Sequence, residues 1–243
     1  MVRGEELKAR IKDHFSFERE ELYVLVPAAF LTAFIFSFND WGKEALDIGL
    51  GLRNLFLMTT IVALSFFVRF SSQKIYALKE GYKAQYSGWW TGIIIALIIA
   101  LLSKGSIPLV LIGGVAASFM VRQRLGEFRY GFSYSDNAKI SFSGIIANLV
   151  LAQFFAIGLF FFPENYFFSK GLLLNWIMAA CAVLPLPQLD GLNIYFGSRS
   201  WYYVVLAAVA VFGVLLLTGT QIGLIIAVVI TAITAIIQLL MEP

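Results

Sequence analysis

The stretch FFVRFSSQKIYALKEGYKAQY places an arginine and a glutamine four residues apart at the end of an apolar run. If the run is a helix, Arg69 and Gln73 are one turn apart and project from the same face. Two imidazoles at this spacing, with a carboxylate between them, would hold zinc and activate a water. Neither residue suits that chemistry, because arginine stays protonated and glutamine is a poor zinc ligand.

Two further places interrupt the apolar sequence with polar residues. The segment SGIIANLVLAQF carries Asn148 and Gln153, and LPLPQLDGLNIYFGSR carries Gln188, Asp190 and Asn193. Polar and ionisable groups inside or beside membrane spans are functional candidates, because burying them in lipid is expensive. We therefore treat these residues as a candidate polar cluster that contacts a client protein or lines a polar path.

The elements that position these residues are predicted to be membrane helices. Of the 243 residues, 60% are apolar and 14% are charged, which indicates an integral membrane protein. Spanning segments in lipid must be helical, because each backbone polar group needs an internal partner. Eight apolar runs are candidate spans: 24–38, 52–70, 89–103, 106–121, 140–162, 168–186, 201–217 and 220–240.

The run 106–121 is the least regular of these spans, since it contains Pro108, Gly113 and Gly114. A re-entrant hairpin is the alternative for this segment. The distribution of Lys and Arg favours a crossing, because only then do the basic clusters at 3–19 and 122–139 lie on the same side.

Orientation follows from the same distribution. With the N-terminus inside, the outer side keeps few cations: Lys43, Arg53, Lys104 and Lys170. We expect a multi-pass protein of the cell membrane with both termini in the cytoplasm. The net charge of +3 then reflects orientation in the lipid bilayer, and no nucleic-acid partner is expected.

The chain is predicted to contain one transmembrane domain, 24–243, after a cytoplasmic N-terminal segment, 1–23. Leu7, Ile11 and Phe15 recur every four residues beside basic residues, as in an amphipathic helix on the inner membrane surface. A solvated cap is the alternative. No cleavable signal peptide is expected, because the segment lacks a short apolar core.

A short strand or hairpin is predicted in the inner loop 122–141. Aromatic residues alternate with other residue types from 128 to 134, which is the period of a strand. An irregular loop with interfacial aromatics is the alternative.

Three motifs in this order resemble the site-2 protease family of intramembrane zinc metalloproteases, most closely its archaeal members. They are KEGYKAQY at 79–86, NAKISFSGIIANLVLA at 137–152 and PLPQLDGLNIYFGSR at 185–199. The resemblance covers most of residues 54–200 and implies an all-α polytopic fold with a site-2-protease-like core.

Aligning GYKA with the family places its H-E-x-x-H motif on residues 69–73. Arg69, Phe70 and Gln73 then stand where the first imidazole, the general base and the second imidazole are usual. Asp190 matches the third zinc ligand. The second motif has Ile145 where the family usually has proline.

No metal or cofactor is expected, because the only histidine, His14, precedes the first span. The resemblance then implies a catalytically inactive member, a pseudoprotease, that binds or scaffolds a client helix or another membrane protein. One alternative is a transporter or channel-like protein in which Arg69, Gln73, Asn148 and Asp190 line a polar path. A second is a metalloprotease with unconventional ligands.

The resemblance also implies that Arg69 and Asp190 lie close together. We predict a direct or water-bridged ion pair between them, with Gln73 as a further hydrogen-bond partner, since an isolated carboxylate would be uncompensated there. The alternative is that Arg69 extends to the headgroups while Asp190 is wetted at a helix end.

Overall fold

The computed structural model describes residues 4–42, 46–119 and 133–217, together with scattered helical positions between 223 and 236. Most of these residues are helical, and two strands form a small antiparallel sheet. In chain order the elements are α1 (Gly4–His14), α2 (Arg19–Ser37), α3 (Ile48–Glu80), β1 (Tyr82–Gly88), α4 (Trp90–Leu102), β2 (Gly113–Phe119), α5 (Tyr134–Phe161), α6 (Tyr166–Val183), α7 (Asp190–Gly197) and α8 (Arg199–Leu217).

Four helices, α2, α3, α5 and α6, are long and apolar enough to cross a membrane. They coincide with four of the eight predicted spans, so the mostly helical architecture is confirmed, with four helices that could span a membrane. The span predicted at 89–103 corresponds to α4, whose 13 residues rise about 20 Å against a hydrocarbon core of about 30 Å. The span at 201–217 lies within α8, and 220–240 falls largely outside the described residues.

The antiparallel arrangement of α2 and α3 gives the bundle two ends. At one end, Lys74 of α3 donates to Glu21 in the first turn of α2 at 2.7 Å. At the other, Asn54 of α3 donates to the carbonyl oxygen of Asp40, just after α2, at 2.9 Å. We name these the α1 end and the Asp40 end, because Arg10 of α1 hydrogen-bonds the carbonyl end of α3.

Helices α5 and α6 also begin at opposite ends of the bundle. Tyr82, at the start of β1, donates to Asp136 in the first turn of α5 at 2.9 Å. Lys170, near the start of α6, pairs with Asp40 at 2.6 Å. Helix α5 therefore begins at the α1 end and α6 at the Asp40 end.

The N-terminal segment forms α1, as the periodicity of its apolar residues predicted. Leu7, Ile11 and Phe15 are half-buried, and Arg10 donates to the carbonyl oxygen of Leu78 at 2.9 Å. The amphipathic helix therefore packs at the end of α3. Helix α2 begins at residue 19, so the predicted boundary at residue 23 lies inside α2.

The sheet joins the segment before α4 to the segment after it. Strand β1 pairs with β2 in antiparallel register, with Tyr82 opposite Phe119. At the far end of α4, Gly105 lies so close to Asn39 that a Cβ would meet its amide nitrogen at 2.9 Å. Residues 106–119 therefore run from the Asp40 end back to the α1 end without forming a helix.

The predicted helix at 106–121 is wrong in its conformation, although its described part does run between the two ends of the bundle. Gly113 adopts a φ of +96°, and a Cβ there would collide with the backbone of β1. Non-helical backbone at membrane depth is tolerated where protein surrounds it. Here the amide of Val110 donates to Cys181 Sγ of α6 at 3.5 Å. The Val110 side chain is buried.

The strand or hairpin predicted at 128–134 lies largely outside the described residues, and Tyr134 itself opens α5. The sheet uses residues 82–88 and 113–119 instead. Tyr82, Ala84 and Tyr86 alternate with polar residues in the sequence and are buried in the structure, so this alternation was a usable strand signal.

Candidate functional site

Arg69 and Asp190 form a buried ion pair between α3 and α7. Arg69 Nη2 donates to Asp190 Oδ2, and the two side chains are 2% and 0% exposed. The predicted direct pair is confirmed, and the alternative in which Arg69 extends to the headgroups is wrong. A carboxylate this deeply buried would be costly alone, so the guanidinium compensates its charge.

Gln73, one turn after Arg69, also binds the carboxylate, as predicted. Its Nε2 donates to Asp190 Oδ2 at 3.0 Å and to the carbonyl oxygen of Ser141 at 3.4 Å. Gly144 of α5 lies beside it, and a Cβ at that position would overlap the Gln73 side chain. A glycine on α5 therefore makes room for the amide.

The position of Asp190 follows from the end of α6. Helix α6 stops at Val183, and Pro185 and Pro187 prevent the chain from continuing as a helix. Asp190 is the first residue of α7, where the helix dipole favours a carboxylate. Gly191 follows, and a Cβ there would collide with the carbonyl of Val183. The close approach of α7 to α6 thus directs Asp190 into the bundle.

Phe70 occupies the position that the resemblance assigns to the general base. Its fully buried ring lies 4.6 Å from that of Tyr86 and 5.8 Å from that of Phe66, measured between centroids. This side of α3 is therefore packed with aromatic rings and offers no proton acceptor.

Asn148 and Gln153 lie on different faces of α5. Asn148 lies one turn beyond Gly144 and is fully buried, and neither polar atom of its side chain has a hydrogen-bond partner among the described residues. Gln153 is five residues further along and thus about 140° further round the helix. The structure joins Arg69, Gln73 and Asp190 directly, and Gln153 lies on another face of α5.

Gln188 and Asn193 lie on the other side of the pair. Asn193 donates to Ser141 Oγ at 2.9 Å, and Gln188 adopts a φ of +67° in the turn before α7. Both border a cavity of about 330 Å³ between β2, α5 and α7. Its lining residues are small or carry amides, with one valine: Ser87, Gly114, Val115, Ala116, Ala117, Asn137, Gln188 and Asn193.

The cavity meets the ion pair at Gly114. A Cβ on this residue would lie 3.1 Å from Asp190 Oδ1 and 3.1 Å from the carbonyl oxygen of Gln188. Sequence reasoning missed Gly114, because its strand resembles an apolar span. It also missed Ser141, which precedes Gly144 by three residues and could have been assigned to the same helix face.

A second polar contact lies one turn toward the Asp40 end from Arg69. Asn175 of α6 donates to Ser65 Oγ of α3 at 3.0 Å, and both residues are fully buried. Sequence reasoning passed over both residues, although an asparagine inside the apolar run of α6 was a usable signal.

The donor set does not suit a metal ion. Among the described residues, no three or more His, Cys, Asp or Glu side chains come close enough together to hold one. Asp190 is the acidic member of the cluster, and its two hydrogen-bond donors, Arg69 and Gln73, occupy the positions of the expected imidazoles. The cluster can bind polar groups but offers zinc no tetrahedral set of lone pairs.

No protein-family model matches the chain, and no curated protein or solved structure gives a significant match. The function of the site must therefore be inferred from its own residues.

Proposed function

We propose that the protein is an inactive relative of the site-2 proteases, which binds a segment of another membrane protein without cutting it. The Arg69–Asp190 pair is the observation that carries this proposal. In the aligned motif, Asp190 stands for the third zinc ligand and Arg69 for the first imidazole. A guanidinium supplies the positive charge that a metal would otherwise provide, but it cannot polarise a carbonyl or bind a water as zinc does.

The surroundings of the pair also argue against hydrolysis. Activating a water requires a base within hydrogen-bond reach of it. Phe70, at the position that the resemblance assigns to the general base, has no titratable group. Asp190 Oδ2 accepts from both Arg69 and Gln73, while its Oδ1 has no partner among the described residues. The usual base is therefore missing, and the carboxylate that remains is held in an ion pair.

Strand β2 provides the surface on which a polypeptide would bind. One of its edges pairs with β1, and no other strand in the described part of the chain pairs with it. Ala116 is exposed on β2, next to a cavity bordered by Asn137, Gln188 and Asn193. An extended client segment would continue the sheet through backbone hydrogen bonds, and these amides would satisfy its remaining polar groups.

Site-directed photocrosslinking in the native membrane tests this binding. A photoreactive amino acid at Ala116 should form adducts within the membrane segment of another polypeptide. Ala207, an exposed alanine on α8, is the matched control position and should form none. Changing Gln188 and Asn137 together to Leu should reduce the Ala116 adducts, because both amides border the cavity.

Two results would contradict the proposal. Similar adducts from Ala116 and Ala207 would mean that β2 does not bind a client segment in preference to other exposed surfaces. Fragments of a crosslinked client that disappear in Asp190→Ala would mean that the protein hydrolyses it.

Transport is the second candidate, and the buried polar residues favour it. Asn148 and the Asn175–Ser65 contact add polar groups inside the same bundle as the ion pair. Vesicles that contain the protein could show an ion flux. If Asn148→Leu abolishes that flux, the result would support a polar path over the client-binding site.

A further inference from the structure

A separate apolar groove runs between α2 and α3. Its volume is about 230 Å³, and every residue that lines it is apolar. The walls include Leu22, Val26, Ala29, Ala63, Phe67 and Phe70.

The groove opens toward the hydrocarbon of the membrane. Leu22, Val26 and Phe67 are 44%, 65% and 56% exposed, although they belong to helices of membrane-crossing length. Such side chains at this depth face lipid, because water is excluded there. Bilayer lipid therefore has direct access to the groove.

The lining and the surroundings of the groove select the kind of occupant. All of its lining residues are apolar, so it suits a hydrocarbon chain, which needs no hydrogen-bond partner. The bilayer itself supplies unbranched hydrocarbon chains of this kind.

A cation marks the end of the groove near the membrane surface. Arg19 precedes Leu22 by three residues, so the two side chains share a face of α2. Arg19 is exposed, while Glu18 and Glu21 are each paired with a lysine. Glu20 lies about 100° round the helix from Arg19. A phosphate at the mouth of the groove would thus meet a guanidinium, which suits it as a hydrogen-bond donor.

We propose that this groove binds one acyl chain of a bilayer phospholipid and that Arg19 contacts the phosphate of the same molecule. The proposal is independent of the client-binding function, because the groove and the cavity beside β2 have no lining residue in common.

Photolabelling with a lipid tests the acyl-chain site. The full chain is reconstituted into phosphatidylcholine vesicles that contain a small fraction of phosphatidylcholine with a diazirine in one acyl chain. After illumination, adducts should concentrate on the groove residues of α2 and α3. Ala63→Phe should reduce them roughly tenfold, which corresponds to about 1.4 kcal/mol of binding free energy.

Matched variants separate a filled groove from a misfolded protein. Ala29→Leu fills the groove by a smaller amount and should give an intermediate loss. Ala207→Phe adds the same ring on the exposed face of α8 and should leave the groove adducts unchanged. The elution volume and thermal unfolding of each variant should match those of the parent.

Labelling that spreads over α2, α3 and α8 in proportion to their exposed area, or that survives both groove-filling variants, would overturn the acyl-chain site. So would polypeptide adducts in place of lipid adducts from a photoreactive residue at Ala63. Arg19→Gln should weaken labelling, and labelling equal to that of the parent would overturn the phosphate contact.

Discussion

Arg69 of α3 and Asp190 of α7 form a buried ion pair although 121 residues separate them in the chain. The pair fixes the short helix α7 against a helix of membrane-crossing length. Gln73 binds the same carboxylate oxygen, so the two α3 side chains hold Asp190 from successive turns. This arrangement determines what the site can do, and it supports the first two predictions.

Breaking the pair from one side should be strongly destabilising. Arg69→Met or Asp190→Ala should lower the free energy of unfolding by about 3–5 kcal/mol, because each leaves a buried, unpaired charge. The double variant should recover part of this loss. Thermal unfolding of the detergent-solubilised protein measures the effect, and Lys8→Met, an exposed cation on α1, should behave like the parent. Single variants that unfold with the parent would indicate that water reaches the pair.

Introducing imidazoles at residues 69 and 73 should create a zinc site if α3 and α7 are arranged as in the site-2 proteases. Arg69→His combined with Gln73→His would place two ligands one turn apart beside Asp190. Elemental analysis should then find about one zinc per chain, and further replacement of Asp190 by Ala should remove it. Histidines at Phe56 and Thr60, an exposed pair at the same spacing on α3, provide the control. Failure of the first variant to bind zinc would count against the proposed family relationship.

Gly144→Ala should destabilise the bundle, because the new methyl group would overlap the Gln73 side chain. We expect a loss of about 1–3 kcal/mol, typical of overpacking. Adding Gln73→Ser should restore part of it by removing the overlapping atoms. Gly49→Ala is the control, since a Cβ there would meet only Asp47 Oδ1 at 3.4 Å. A Gly144→Ala protein as stable as the parent would show that Gln73 moves aside freely.

The contact between α2 and β1 should weaken in acid. Glu18 binds Lys83 at 2.7 Å and Gln85 at 2.8 Å, and these hydrogen bonds lower the pKa of the Glu18 carboxyl below its usual 4.5. A lowered pKa stabilises the folded state above the unfolded pKa, and this stabilisation is lost as the pH falls through the folded pKa. The difference in Tm between the parent and Glu18→Gln should be constant above pH 4.5 and shrink below it. A difference that persists undiminished to pH about 3 would contradict this assignment.

Residues 106 and 135 should be accessible from opposite sides of the membrane. Both serines are exposed, with Ser106 just after α4 and Ser135 at the start of α5. In a Cys181→Ala background, Ser106→Cys should react with an impermeant thiol reagent added outside sealed cells. Ser135→Cys should react only after the cells are opened, because the basic loop before it is expected in the cytoplasm. Labelling of both from outside would refute the proposed orientation.

The sequence was sufficient for the ion pair because the resemblance aligned Arg69 and Asp190 with two ligands of one metal site. A buried carboxylate needs a cation. The resemblance predicted that one face of α3 lies next to Asp190, and Arg69 was the charged residue on that face. The hydropathy of 24–38, 52–70, 140–162 and 168–186 was likewise enough to find the four helices that could cross a membrane. The apolar helices are recorded in single short segments, whereas the ion pair joins two distant segments and was predictable because a buried carboxylate requires a cation.

The strand β2 could not be predicted in the same way. Residues 106–119, SIPLVLIGGVAASF, have the composition of a membrane helix, but they form none because β1 and α6 satisfy part of their backbone. The complete burial of Asn148 likewise depends on how α5 packs against its neighbours. Such features are set by contacts between distant segments, which a single sequence does not show.

The extended crossing at 106–119 also constrains how the protein is assembled during synthesis. A helical span satisfies its own backbone and can leave the translocation machinery as soon as it is made. Residues 106–112 have no such independence, because their surroundings include Cys181 of α6, which is translated about 70 residues later. We therefore expect residues 106–112 to reach their final position only after α6 has been synthesised. Completion of this extended segment is then a late step in the biogenesis of the bundle.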